Sequence, residues 1–392
     1  MCLYTWESLG VGELFFPMQE NEQKKTDNNQ IDMKKILWLA VMLVAFASCS
    51  SVGKNIDEAK VRSKRIDKVS KVVPDSLRNK LYTVAAPDKY TCWPRIGKVG
   101  DKLVNVYVKA LQHNDPHNGV GAIYASTSVG GINWVSSGKV IDTPNMRDGV
   151  TGCGNDEKGN LIFIVRVGFF SNPNAYYDMY RTADGVKFEK ISTIPHTQPL
   201  GHCGDIINIP TRGLMAFFGT YGNPRAWGYI VSKDNGASWE RVVVENVAEE
   251  QCPMEMSAVY LGDGKILVVG RFEGKGSAAM WQMESSDYGR SWTRRPTNIQ
   301  QYGNTPKIIF DAKSGKVSLY IYNRATGDLE YREIAADKIW NNPLGWPSAA
   351  ILATKNKGYD AGNVSACVFG NMQVATFYAG DSANTGIYCF LK

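Results

Sequence analysis

One polar motif recurs through the chain at nearly regular intervals. The stretches "SKDNGASW" at 232–239 and "SSDYGRSW" at 285–292 share serine, aspartate, glycine and tryptophan in the same order. Two weaker copies follow the same plan: "TSVGGINW" at 127–134 has valine in place of aspartate, and "TADGVKF" at 182–188 ends on phenylalanine. A fifth, eroded copy is "DKIW" at 337–340. Because a fixed period of this length is typical of repeat architectures, the motif limits the fold more than any other feature.

The period of the motif predicts the fold. Its closing aromatic residues lie at positions 134, 188, 239, 292 and 340, in steps of 54, 51, 53 and 48 residues. A step of this length suits one four-stranded propeller blade, and strand-like apolar runs such as "LIFIVRVGFF" and "KILVVGRF" lie between the copies. At this period, the chain from residue 82 to 392 has room for six blades. We therefore predict an all-β fold, a six-bladed β-propeller of four-stranded antiparallel blades.

The residues of the motif are those of a hairpin turn. Aspartate accepts backbone N–H groups, glycine takes the positive φ that tight turns need, and tryptophan packs beneath the turn and holds it in place. The repeated loops are therefore predicted to build blades rather than to carry out a reaction. They resemble the Asp-boxes that recur in sialidases and in other propellers, and a fold of this kind does not by itself define an activity.

The N-terminal region has the pattern of a targeting signal. The sequence "MKKILWLAVMLVAFASC" begins at Met33 with two lysines, continues through an apolar run at 36–47 and ends on small residues before Cys49. The run is shorter than the roughly 20 residues that a membrane span needs, which favours a secretory signal. Its end resembles the lipobox of bacterial lipoproteins, which implies that Cys49 is lipidated and becomes the mature N-terminus. The alternative is a plain signal peptide that is cut near Cys49.

These features divide the chain into four parts. We predict a mis-start or unstructured extension at 1–32, a lipoprotein signal peptide at 33–48, a tether that begins with lipidated Cys49 at 49–80, and a propeller at 81–392. From this order we predict that the protein is exported and that its lipid anchors it to a bacterial outer membrane, at the periplasmic or the cell-surface face. We expect it to be a monomer.

Composition and charge exclude several kinds of partner. The net charge is +6, which suits an acidic ligand, but lysine and arginine are scattered rather than clustered, so we expect no nucleic-acid partner. The six cysteines of the predicted propeller form no CxxC pair, which favours free thiols. The four histidines offer one HxxxH spacing, in "HNDPH", where Pro116 disfavours the helix that such a metal site needs. We predict no metal and no cofactor.

The segment "EMSAVYLGDGKILVVGR" at 255–271 carries the strongest functional signal. Glutamate stands first, Leu-Gly-Asp-Gly follows, and an arginine comes sixteen residues after the glutamate. This register resembles the sialidase family. The resemblance implies that Glu255 is the general base for a tyrosine nucleophile and that Arg271 is one of three arginines that bind the substrate carboxylate. The alternative is an ordinary hairpin with Arg271 on the surface.

Two further arginines fit the same resemblance. "WPRIG" at 93–97 lies where sialidases carry Arg-Ile-Pro, although here the proline precedes Arg95. "NRATGDLEYR" at 323–332 falls where the family places its third arginine, and its position ahead of a strand favours Arg324 over Arg332. Three guanidinium groups suit a carboxylate because their planar donors bind it in pairs and stay charged at any working pH.

The acid/base aspartate of sialidases follows the first arginine by some twenty residues in the family. Asp115, in "LQHNDPHNG", lies twenty residues after Arg95 and is the preferred candidate. Asp148, in "NMRDGVTGCG", is the alternative, and a turn-capping aspartate is the simplest interpretation of either residue.

The nucleophile departs from the family pattern. In the stretch "GYDAGNVSACVFGNMQVATFYAG" at 358–380, the expected tyrosine position is Asn363, and Tyr359 lies four residues earlier. Tyrosine matters because a carboxylate nucleophile would be repelled by the carboxylate that a sialoside carries at its anomeric carbon, and asparagine cannot replace it. Either a loop delivers Tyr359 to the site, or the nucleophile is missing.

Three functions remain open at this point. The first is an exo-α-sialidase-like retaining glycoside hydrolase that removes terminal sialic acid, or a related acidic sugar, from glycans. The second is a non-catalytic glycan-binding propeller that keeps the arginines. The third is a propeller scaffold for protein partners. Arginines that converge on the propeller axis would exclude the third, and a Tyr359 within hydrogen-bond distance of Glu255 would favour the first.

Overall fold

The computed structural model describes residues 73–392 apart from six short segments, which are 114–120, 169–173, 222–224, 273–278, 301–304 and 382–383. The signal peptide, Cys49 and most of the tether lie outside the described residues, as does Asp115. No helix in the described ranges is long and apolar enough to cross a membrane.

The described part of the chain is built almost entirely of strands. In chain order they are β1 (Lys80–Ala85), β2 (Tyr90–Val99), β3 (Lys102–Ala110), β4 (Ala122–Ser128), β5 (Val135–Ile141), β6 (Asp148–Asn155), β7 (Leu161–Val167), β8 (Tyr176–Thr182), β9 (Glu189–Ile194), β10 (His202–Ile209), β11 (Gly213–Gly219), β12 (Arg225–Ser232), β13 (Glu240–Val247), β14 (Pro253–Gly262), β15 (Lys265–Phe272), β16 (Ala279–Ser285), β17 (Thr293–Gln300), β18 (Lys307–Asp311), β19 (Lys316–Asn323), β20 (Asp328–Ala335), β21 (Ala350–Thr354), β22 (Gly362–Phe369), β23 (Met372–Asp381) and β24 (Asn384–Leu391). The helical elements are short, namely two 3₁₀ turns at Asp75–Leu77 and Glu249–Gln251 and a helix α1 at Ala336–Ile339.

The strands form four separate four-stranded antiparallel sheets and one sheet of eight strands. The four-stranded sheets are β6–β9, β10–β13, β14–β17 and β18–β21, each in chain order from an inner to an outer strand. The eight-stranded sheet has the order β22-β23-β24-β2-β3-β4-β5, with β1 also paired to β24. The predicted all-β propeller of four-stranded antiparallel blades is therefore confirmed.

The predicted number of six separate blades is wrong, because the first and last groups of strands merge. Strand β1, from the start of the described chain, pairs antiparallel with β24 at its end, from Lys80 opposite Leu391 onward. Strand β2 then meets β24 through a single parallel pair, Tyr90 with Thr385. This pair joins β22, β23, β24 and β1 to β2–β5, so four separate blades remain beside one double-sized sheet.

The repeated motif forms the connection between the third and fourth strands of its sheet. In the copy at 232–239, the Asp234 carboxylate accepts the Ser238 N–H at 2.9 Å, and Gly236 has φ 93°. In the copy at 285–292, Asp287 accepts the N–H groups of Arg290 and Ser291, both at 2.9 Å. These are the turn interactions that the sequence predicts. The copy at 337–340 differs, because its residues lie in or next to α1.

Glycine allows three inner strands to meet backbone to backbone near the axis. A Cβ placed on Gly152 of β6 would lie 1.8 Å from the Gly204 carbonyl oxygen of β10. A Cβ on Gly204 would lie 1.8 Å from the Met256 carbonyl oxygen of β14. No side chain fits at such distances, so these glycines set how closely the sheets approach at the centre of the molecule.

We predict that Gly204→Ala destabilises the protein strongly. The added methyl group meets backbone rather than a movable side chain, so the strands must separate, and overpacking of this kind costs about 3 kcal/mol. Thermal unfolding followed by circular dichroism would measure the loss. Gly100→Asn is the control, because Gly100 has open space around it and φ 58°, which asparagine tolerates. Equal stability of the two variants would contradict the close approach.

The six cysteines of the described chain are free, as predicted. Five of them are buried and one is partly buried. Burial raises the pKa of their thiols, for example to about 12 at Cys153, so they remain protonated and unreactive at neutral pH.

Candidate functional site

The inner strands bulge where they face the axis. Register shifts interrupt β2, β6, β10, β14 and β22 near their N-terminal ends, at residues 92–95, 150–152, 203–206, 254–257 and 362–365. Three residues in these bulges adopt positive φ without being glycine: Trp93 (51°), Glu255 (46°) and Asn363 (44°). Bulges redirect side chains, and backbone strain of this kind concentrates at functional sites. The bulges therefore mark the axial pocket as the candidate site.

Glu255 lies in this pocket, with polar partners from its own sheet, from the preceding sheet and from the segment before β18. Its Oε2 accepts a hydrogen bond from Arg271 Nε of the same sheet and another from Thr305 Oγ1 at 3.0 Å. Its Oε1 lies 3.8 Å from His202 Nε2 of the preceding sheet. Burial alone would raise the pKa of Glu255, but the positive charges of Arg271, His202 and Arg324 hold it well below its usual range. The carboxylate is therefore ionised.

The three predicted arginines differ in their relation to this carboxylate. Arg271 pairs with it directly, and Arg324 lies close enough to lower its pKa. Arg95 is buried and lines the same pocket, with its Nε donating to the Thr151 carbonyl oxygen at 2.8 Å. Arg332, the alternative third arginine, lies instead on β20, 3.0 Å from Glu330. The structure thus places Arg95 and Glu255 in one pocket, pairs Arg271 with Glu255, and leaves Arg324 linked to Glu255 through its charge.

Tyr359 does not reach Glu255. The tyrosine is 57% exposed, stacks on the His113 ring at 4.2 Å between centroids, and has the Arg324 guanidinium 5.3 Å from its ring centroid. Neither contact involves Glu255. Asn363 occupies the inner-strand bulge instead and is hydrogen bonded to Thr305, which itself contacts Glu255. The position expected for the nucleophile is therefore held by an amide.

The structure describes only one of the two candidate acid/base aspartates. Asp115 lies outside the described residues. Asp148 is fully buried, and its Oδ2 accepts the Thr143 N–H at 2.8 Å, which is the turn-capping role. Burial raises the pKa of Asp148. The neighbouring Arg147 extends in another direction and lies 5.0 Å from the centroid of the Trp93 ring.

A cluster around His113 borders the site and was not predicted from the sequence. His113 Nδ1 lies 2.6 Å from Tyr90 Oη and 3.3 Å from Asp360 Oδ1. Tyr90 Oη also donates to Tyr378 Oη at 3.2 Å, which Arg324 approaches at 3.5 Å. The sequence showed His113 only as part of an HxxxH spacing, and its partners lie far away along the chain.

The His113 cluster leads to a prediction on pH. Burial and the charge of Arg324 lower the pKa of His113 to about 4 from an ordinary 6.5, while Asp360 acts in the opposite direction. Between these values the unfolded chain binds a proton that the folded chain does not, so the free energy of unfolding falls as pH falls from 6.5 to 4. One such proton gives a slope of at most about 1.4 kcal/mol per pH unit.

Urea unfolding at several pH values in this window, for the protein and His113→Gln, measures the contribution. We expect the variant to lose part of the slope. His196→Gln is the control, because His196 is exposed and its removal should leave the slope in place. An unchanged slope in His113→Gln would contradict the buried neutral imidazole.

An ion pair forms the floor of the pocket. Lys307 Nζ lies 2.8 Å from Asp205 Oδ2, which also accepts a hydrogen bond from Ser257 Oγ at 2.6 Å. Asp205 and Lys307 line the pocket around Glu255 and also a second cavity of about 300 Å³. The pair therefore separates two spaces along the axis.

Comparison with known proteins supports the fold. No family model and no curated protein matches the chain. A Dyadobacter fermentans protein of unknown function is similar in structure, with TM-score 0.64, 15% identity, and coverage of 80% of this chain and 98% of that one. Trypanosoma rangeli sialidase gives TM-score 0.55 at 12% identity over 77% of this chain, which spans 55% of the sialidase.

Two further solved structures show the same architecture. A Penicillium chrysogenum alpha-L-arabinanase complexed with arabinobiose has TM-score 0.54 and 16% identity over 79% of this chain and 97% of its own. The endosialidase of phage phi92 has TM-score 0.56 and 11% identity over 80% of this chain and 68% of its own. Likenesses at such identities define the class of fold alone: the chain is a β-propeller of the architecture found in these glycoside hydrolases.

Proposed function

We propose that the protein recognises a carboxylated sugar in the pocket around Glu255, in the manner of the sialidase-like glycoside hydrolases, with sialic acid as the first candidate. The observation that carries the proposal is the set of guanidinium groups near Glu255: Arg271 pairs with it, Arg95 lines the same pocket, and the charge of Arg324 lowers its pKa. Such a group of guanidiniums suits a carboxylate.

The retaining exo-α-sialidase reaction is the second candidate. It requires Tyr359 as the nucleophile, Glu255 as its base and Asp115 as acid/base, as the resemblance implies. The contact between Tyr359 and Arg324 at the border of the pocket favours it. The separation of Tyr359 from Glu255 favours recognition without this mechanism. The arginines near Glu255 disfavour a protein scaffold that has no sugar site.

Two measurements on the purified protein test the proposal. Calorimetric titration with sialic acid should give saturable binding, and a fluorogenic sialoside should show whether turnover accompanies it. Saturable binding that competes with the sialoside supports recognition. The absence of binding by sialic acid and by other carboxylated sugars, such as glucuronic and galacturonic acid, would refute it.

The proposed location follows from the N-terminal sequence. We propose that the protein is exported and held on an outer membrane through a lipid on Cys49, where its partners would be sialylated or other acidic glycans. Labelling of the expressed protein with a radioactive fatty acid tests this. Incorporation that Cys49→Ala abolishes supports the anchor, and labelling that persists in Cys49→Ala refutes it.

A further inference from the structure

Asn363 occupies the position at which the resemblance places a tyrosine nucleophile, and its neighbours suggest what it does there. We propose that the pocket hydrolyses the glycosidic bond of a carboxylated sugar by direct attack of water, which Glu255 activates and Asn363 and Thr305 hold, with inversion at the anomeric carbon. The inference rests on the proposed function, since it uses the same pocket and the same sugar carboxylate.

The first support is the chain of contacts from Asn363 to Glu255. Thr305 Oγ1 lies 3.0 Å from Glu255 Oε2 and is also hydrogen bonded to the amide of Asn363. Threonine has one hydroxyl proton, and Glu255 Oε2 and the amide oxygen Oδ1 of Asn363 both lie where they accept it, so Thr305 links the two groups. The amide nitrogen Nδ2 of Asn363 makes no hydrogen bond to any residue that the structure describes, and it can donate one to a water molecule.

The second support is the size of Asn363. The positive φ of 44° at Asn363 lies in the bulge of β22, which is the counterpart of the bulges that hold Glu255 in β14 and Trp93 in β2. An asparagine side chain lacks the aromatic ring of tyrosine and therefore fills less of the space beside Glu255. The pocket that Glu255 and Thr305 line has a volume of about 20 Å³, which is enough for one water molecule, and it offers the polar partners that a bound water needs.

The proposed step balances without a further reactant. The water oxygen forms a bond to the anomeric carbon while the bond from that carbon to the leaving oxygen breaks. Glu255 takes the proton of the water, and the leaving oxygen takes a proton from solvent; a phenolic leaving group departs without one. Water is neutral, so the sugar carboxylate does not repel it, which is the difficulty that a carboxylate nucleophile would meet.

Arg271 explains how the base becomes active only when the sugar is bound. Arg271 pairs with Glu255, and the nearby cations hold the pKa of Glu255 well below its usual range. A sugar carboxylate that binds Arg271 and Arg324 competes for these cations and adds a negative charge nearby. Both effects raise the pKa of Glu255 and make it a stronger base.

The stereochemistry of the first product decides between the mechanisms. Proton NMR of 4-methylumbelliferyl α-sialoside with the full-length protein, recorded faster than the free sugar mutarotates, identifies the anomer that forms first. We expect the β-anomer. We expect Tyr359→Phe, which lacks the nucleophile of the retaining mechanism, to give the same anomer.

Variants of the proposed groups give a second measurement. Glu255→Gln should lower kcat by about 100-fold to 10,000-fold, the range for loss of a general base. Asn363→Ala should lower kcat by about 10-fold with little change in KM, because it removes only one hydrogen bond to the water. Circular dichroism and sialic acid titration check that each variant folds and binds.

The outcomes separate this inference from the proposed function. The α-anomer as first product, or turnover that Tyr359→Phe abolishes, overturns direct attack by water. Saturable binding without turnover also overturns it and leaves the recognition site standing. Absence of both binding and turnover refutes the proposed function itself.

Discussion

Arg271→Ala is expected to weaken binding of sialic acid by at least about 30-fold. The change removes a guanidinium that would bind the sugar carboxylate, and it also leaves Glu255 without its direct ion-pair partner. Glu255 would then repel the incoming carboxylate. Loss of one partner of a buried, hydrogen-bonded charge pair costs about 2–5 kcal/mol, which corresponds to this loss of affinity or more. Calorimetric titration with sialic acid measures the effect.

The matched control is Arg332→Ala. Arg332 is also an arginine beside a glutamate, Glu330, but it lies on β20 and not in the pocket. We expect its removal to leave binding unchanged. If Arg271→Ala fails to fold, Arg324→Ala replaces it, because Arg324 acts on Glu255 through its charge without a direct hydrogen bond. Undiminished binding in folded Arg271→Ala or Arg324→Ala would show that the carboxylate does not lie among these arginines.

The sequence predicts the blades because each blade is a local unit. A turn such as 232–239 depends on its own residues: Asp234 accepts the Ser238 N–H four residues away, and Gly236 takes positive φ. A repeat of such turns therefore reveals a repeat of sheets. The merging of the first and last strands depends on Lys80 opposite Leu391, and no local pattern records a pair so distant in the chain.

The same distinction holds for the candidate site. Arg271 lies on the strand next to Glu255, sixteen residues away within one hairpin, so a short motif captures the pair. His202 approaches Glu255 from the preceding sheet, and Thr305 approaches it from the segment before β18. Thr305 is fifty residues away from Glu255 in the chain. Their contacts arise only when the inner strands assemble around the axis. Asn363 shows the limit of the resemblance: the sequence marks the position as anomalous, and the structure shows which groups it contacts.

Lys307→Met is expected to reduce the free energy of unfolding by about 3–5 kcal/mol. Asp205 and Lys307 are both largely buried and lie 2.8 Å apart, so removal of the lysine leaves a buried carboxylate with Ser257 as its remaining neutral partner. An unpaired buried charge is far more costly than the pair is stabilising. Thermal and urea unfolding measure the loss.

The double variant Asp205→Leu with Lys307→Met tests the cause. If the penalty comes from the unpaired charge, replacing both partners with apolar side chains should recover most of the stability, because the desolvation cost of both ions disappears. Ser257 Oγ would lose its acceptor, but it also accepts the Ile308 N–H at 3.0 Å and remains partly satisfied. A double variant no more stable than Lys307→Met would show that packing at the floor of the pocket, rather than charge, limits stability there. If the double variant recovers stability but no longer binds sialic acid, the charges of Asp205 and Lys307 contribute to sugar binding.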